Sequence, residues 1–153
     1  MPRFRFKLDV LLKHRASEEE LCQRDLARLL RSRMIFEDEL RRMQQTISQS
    51  KHQLGQSLLG KVEISRVAEF ASYSGQTTMR GHQIVNKMAE LEQHILIARE
   101  KLLEATKKRK ALELLRDKQK AEWIAAENKR ETAELDEIAT QKYARVMAMG
   151  GNV

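Results

Sequence analysis

The sequence predicts an all-α protein, an antiparallel two-helix coiled-coil hairpin with a protruding C-terminal helical arm. Three observations carry that prediction. First, among 153 residues there are 6 Gly and 1 Pro, and aromatics make up 5%. Turns draw on Gly and Pro, and strands on β-branched and aromatic side chains, so corners and sheets are both starved. Second, 33% of the residues are charged, and the helix formers Ala, Glu, Lys, Leu, Arg, Gln and Met abound. Third, apolar residues recur at heptad spacing along a narrow stripe, the mark of a coiled-coil seam and not of the wider face of a globular helix. One coiled-coil domain over 1–153 follows, with helix one at about 8–54, a turn at about 55–62 and helix two at about 63–146.

Helix one rests on an unbroken heptad. Its a positions are Leu12, Glu19, Leu26, Arg33, Leu40, Ile47 and Leu54, and its d positions are Leu8, Arg15, Cys22, Leu29, Phe36, Met43 and Ser50. Ser17-Glu18-Glu19-Glu20 has the form of a capping box. The register nevertheless runs through Leu8 and Leu12, which sets the start near Leu8. Gly55 and Gly60 mark the first inexpensive turn.

The second seam starts at Val67 and Phe70 and becomes strongly apolar through Ile84, Met88, Leu91, Ile95, Ala98 and Leu102. Ser, Thr and Gly replace apolar residues over 72–81, the weak point of this helix, where a bend or loosened turn is expected. Gly in a helix interior is about 1 kcal/mol worse than Ala. Beyond Leu102 the seam turns polar, with Arg109, Arg116, Trp123 and Arg130 at a. Ile124, Leu135 and Val146 instead recur every eleven residues, a period that suits a nearly straight helix. Hairpin arithmetic accounts for the change: pairing centred near Gly55–Gly60 sets Leu8 opposite roughly position 107, so the last ~35 residues overhang. Heptads alone equally allow parallel homodimerisation through either seam.

Charge and chemistry narrow the function classes. The net charge is +7, favouring acidic partners, but both signs are finely mixed as on a solvated helix face. The single Cys22 excludes an internal disulfide and suits a reducing compartment. The basic N-terminus has an apolar run of only Val10-Leu11-Leu12, too short for a signal peptide, and no stretch is long enough to span a bilayer. A cytoplasmic protein without membrane insertion is expected. No phosphate loop, paired-Cys zinc spacing or HExxH is present, and His14, His52, His82 and His94 are not at ligand spacing. Neither an enzyme nor a cofactor or metal site is expected. Over 99–130 there are eleven Lys or Arg and six Asp or Glu. A groove-binding helix is more purely basic, so nucleic acid is not the expected partner. Trp123 is either a ring covering the Lys120 or Glu127 stems or an anchor for another protein. Phe4 and Phe6, interleaved in Arg3-Phe4-Arg5-Phe6-Lys7, carry the same two readings.

The run Phe4-Arg5-Phe6-Lys7-Leu8-Asp9-Val10-Leu11-Leu12-Lys13-His14-Arg15, followed by Glu18 to Glu20, resembles the opening of the FliJ family of flagellar type III export proteins. Lys110-Ala111-Leu112-Glu113-Leu114-Leu115-Arg116 and Leu135-Asp136-Glu137-Ile138-Ala139, with Arg145, are similar to its C-terminal stretch. The resemblance implies a coiled coil shaped like the central stalk of rotary ATPases. It also implies partners: the hexameric flagellar export ATPase, the cytoplasmic domain of the membrane export gate, and export chaperones. It implies work at the cytoplasmic face of the membrane at the flagellar base, peripherally associated. The paired termini would then enter the ATPase ring. Arg5, Lys7, Arg15, Lys108, Arg109, Arg116, Lys120 and Trp123 are the candidate ring contacts, with Arg5, Lys7, Lys108, Arg109, Arg116 and Lys120 as a basic collar facing acidic loops. Glu39, Met43 and Tyr73 are the candidate gate contacts, while Thr46 and Ser50 stand where aromatics would help. The alternative function is a generic coiled-coil scaffold or a basic nucleic-acid-binding coiled coil.

Overall fold

The computed structural model describes residues 2–61 and 63–150. Two helices, α1 (Asp9–Ser57) and α2 (Ile64–Gly150), make up nearly all of it, with no strand among the described residues. The helices pack antiparallel. Arg33 of α1 donates to Glu92 of α2 at 3.1 Å, and further along α1 Glu39 accepts from Arg80, further back along α2, at 2.8 Å. The chain forms two compact units, Glu18–Ala105 and Met1–Ser17 with Thr106–Val153.

In the unit Glu18–Ala105 the predicted seam is the core. Ile84, Leu91, Ile95, Ala98 and Ala105 are buried, and Ile95 is 0% exposed. Facing positions on α1, among them Leu26, Leu29, Phe36, Leu40 and Met43, are half-buried, because two helices alone cannot wrap each other's seam. Polar seam residues are answered locally. The Arg33 guanidinium lies 3.1 Å from Glu92 and 3.8 Å from Glu37. Buried Glu19 accepts from the Gln23 amide at 3.3 Å. An unanswered charge at a seam position would be strongly unfavourable, which is why each of these comes with a partner.

α2 is helical through Ser72–Gly81 without a break. The Thr77 and Thr78 hydroxyls donate to the carbonyls one turn back, at 2.9 and 2.8 Å, and so satisfy themselves within the helix. At Gly81 an added methyl would meet only Leu40 Cδ2 at 3.9 Å, so the seam here is thin as well as polar. α1 runs on through Gly55 to Ser57, beyond the sequence-based limit, and Ser57 Oγ closes its last turn by donating to the Leu54 carbonyl at 2.8 Å. No described glycine has a positive φ, Gly60 beyond the end of α1 included.

The other unit begins with an extended segment. Phe4 and Phe6 are half-buried while Arg3, Arg5 and Lys7 are exposed, the two-residue alternation of extended backbone. The Asp9 amide donates to the Phe6 carbonyl at 3.2 Å as α1 starts, and Asp9 pairs with Lys13 at 3.1 Å. An acid in the first turn complements the helix dipole. Ser17, in the apparent capping box, lies inside α1. From Asn128 to Gly150 every residue of α2 is exposed, which is the C-terminal arm.

Candidate partner-binding site

The arm was expected to lose its partner soon after position 107, leaving Trp123 without one inside the molecule. The structure corrects this. The Phe4 ring packs on Trp123 with centroids 6.0 Å apart and planes tilted by 51°. Pro2 borders a hollow with Trp123, Ile124 and Glu127. The physical reason is rise per residue: extended chain advances about 3.3 Å, helix about 1.5 Å. A few extended residues ahead of Asp9 therefore cover roughly twice as many residues of α2, and the bare run starts only at Asn128.

That segment and α2 shape an open hollow of about 590 Å³. Its walls are the Phe4 and Phe6 rings, and Arg5, Arg116 and Lys120 stand around it with Asp9 and Asp117. Arg116 lies 3.4 Å from Asp117, and Asp9 is already engaged by Lys13, while Arg5 and Lys120 make no ion pair among the described residues. Arg109 is half-buried and held by Glu113 at 2.7 Å. Arg15 is half-buried and has a partner, while Lys7 and Lys108 are exposed. Of the candidate ring contacts, Arg5, Arg116 and Lys120 thus share one hollow, and Trp123 adjoins it through Phe4. Lys7, Arg15, Lys108 and Arg109 do not line it.

Asp9 and Asp117 also line the hollow, and nothing in the sequence sets them apart from the other acids scattered among the cations of these segments. The Phe-x-Phe alternation was the readable signal for the wall. Two aromatic rings, three cations and two carboxylates line the hollow, and its unpaired cations suit an acidic protein loop that also carries an apolar side chain.

The family model described as the Flagellar FliJ protein matches residues 4–148. The chain belongs to the FliJ family. It is therefore a component of flagellar type III protein export, as its opening and closing motifs implied. No curated protein and no solved structure matches it.

In this FliJ-family chain the candidate gate contacts do not converge on one hollow. Tyr73, exposed, lines a hollow with Arg66, Glu69 and Phe70 of α2 and Ser50 and Leu54 of α1. Neither Glu39 nor Met43 lines it. Glu39 is held by Arg80, and Met43 is half-buried in the seam. Cys22 is half-buried beside Leu29 and His94, as a small apolar seam residue. No group of three His, Cys, Asp or Glu that could hold a metal occurs among the described residues, and no described helix is long and apolar enough to cross a membrane.

Proposed function

We propose that this protein is the stalk of the flagellar export ATPase, seated in the hexameric ring by the unit formed from its two ends. The hollow carrying Arg5, Arg116 and Lys120 over the Phe4 and Phe6 rings supports the reading. On this reading the ring subunits present acidic loops to the stalk, which guanidinium groups would bind bidentately. A helix bare on all sides, as α2 is from Asn128 onward, suits a part that is enclosed by a partner. Glu39, Met43 and Tyr73 are the proposed contacts to the cytoplasmic domain of the export gate, and the family likeness adds export chaperones as cargo carriers. The protein would work in the cytoplasm at the membrane face of the flagellar base.

The test uses the purified export ATPase and the full chain. The triple variant Arg5→Glu, Arg116→Glu, Lys120→Glu is expected to lose stimulation of ATP hydrolysis while its far-ultraviolet circular dichroism stays unchanged. Raising salt should weaken wild-type binding, since exposed charges are screened over about 10 Å at 0.1 M. Normal stimulation by the reversed protein would remove the collar from the mechanism.

A further inference from the structure

The unit Glu18–Ala105 has a second apolar line that the hairpin does not use. Ala89, Leu96 and Leu103 recur every seventh residue on the outer side of α2, one helix position round from the half-buried Met88, the buried Ile95 and the half-buried Leu102. Leu96 is 52% exposed and Leu103 55% exposed. Beside this line run Val85, Glu92 and Arg99, also seven apart and also exposed. On α1, Leu30 and the exposed Met34 hold the matching heptad positions. A heptad line of apolar residues follows another helix over several turns, whereas scattered exposed leucines do not.

We infer that this outer line of α2 is the docking surface for a second copy of the same chain, paired antiparallel about a two-fold axis at Leu96. The pattern is complementary to itself. About that axis Leu96 meets its own counterpart, Leu103 of each copy lies over the small Ala89 of the other, and Arg99 comes beside Glu92 of the other copy. Parallel pairing would instead set Glu92 against Glu92 and Arg99 against Arg99. The charges also have capacity to spare. Arg99 makes no ion pair among the described residues, and Glu92 receives Arg33 on Oε1, leaving Oε2 to accept a second donor. Two-fold self-association requires that a surface match itself, and this one does in both size and charge. It is a short contact, so association is concentration-dependent and not obligate. It lies outside the a/d seam, so the hairpin persists in each copy.

The experiment uses the full chain with Cys22→Ser as background. Leu96→Cys places a thiol on the axis, where the two Cα atoms come within disulfide reach. Mild oxidation is expected to convert it to a covalent dimer much faster than Glu90→Cys, which points away from the line. Sedimentation equilibrium from low to high micromolar protein should show wild type passing reversibly from monomer to dimer. Arg99→Glu should weaken that dimer roughly tenfold, with helicity unchanged. Wild type that stays monomeric at high micromolar concentration, with Leu96→Cys oxidising no faster than Glu90→Cys, would overturn the inference. So would crosslinking of Leu96→Cys in cell extract to a different protein by a chain that is monomeric when pure, which would assign the line to that partner.

Discussion

Two stretches of α2, Ile84–Ala105 and Asn128–Gly150, are built from the same kinds of residues and adopt the same secondary structure, yet rest on different physics. The first holds every buried residue of the helix and includes Ile95 at 0% exposure. The second has no buried or half-buried residue. Its order comes from contacts along itself: Arg130 reaches Glu127 at 2.9 Å and Glu134 at 3.6 Å, and Gln141 donates to Glu137 at 3.4 Å. Pairs of this kind contribute only a few tenths of a kcal/mol each. Helicity therefore says nothing about how strongly a segment is held; the first stretch is anchored by tertiary packing, the second by propensity.

The comparison is broken most severely at Ile95. Ile95→Ala should cost about 2–5 kcal/mol, because the side chain is fully enclosed and its removal leaves a cavity. Urea unfolding followed by circular dichroism measures this, and a loss under 1 kcal/mol would mean the seam is not the core. An intermediate effect of opposite sign is expected at Gly75, a helical glycine whose added methyl meets nothing within 4 Å. Gly75→Ala should stabilise the protein by about 1 kcal/mol through helix propensity and a less flexible unfolded chain. Destabilisation in the same titration would reveal a close approach at that position. The smallest effect belongs to the arm: Leu135→Ala, at an exposed leucine, should shift stability by no more than about 0.5 kcal/mol. A larger loss in the isolated chain would show that the arm packs against something in solution.

Much of this was legible beforehand because heptads are a local code. Leu12, Ile84, Leu91, Ile95 and Ala98 were assigned to the seam by spacing alone, and all are buried. The reach of the N-terminal segment was not legible in the same way. Counting residues in a hairpin assumes helical rise throughout, and the extended residues before Asp9 violate that assumption, although the Phe4–Phe6 alternation hinted at it. Of the seven candidate ring cations, Arg5, Arg116 and Lys120 share one hollow with Asp9 and Asp117, and the other four lie elsewhere, a grouping that spacing along the chain does not show. A one-dimensional pattern records which residues are cationic but not which of them face one another.

Composition and periodicity by themselves determined that this chain is helical, that it turns once near its first third, and which positions form the seam. Each of these depends on side-chain type and on spacing within a few helical turns. Only the tertiary structure decided that Phe4 meets Trp123, that Arg33 and Glu39 find Glu92 and Arg80, and that α2 is bare from Asn128 onward. Those outcomes depend on how far each segment advances in space per residue, and that differs between extended and helical chain while the sequence is counted in equal steps.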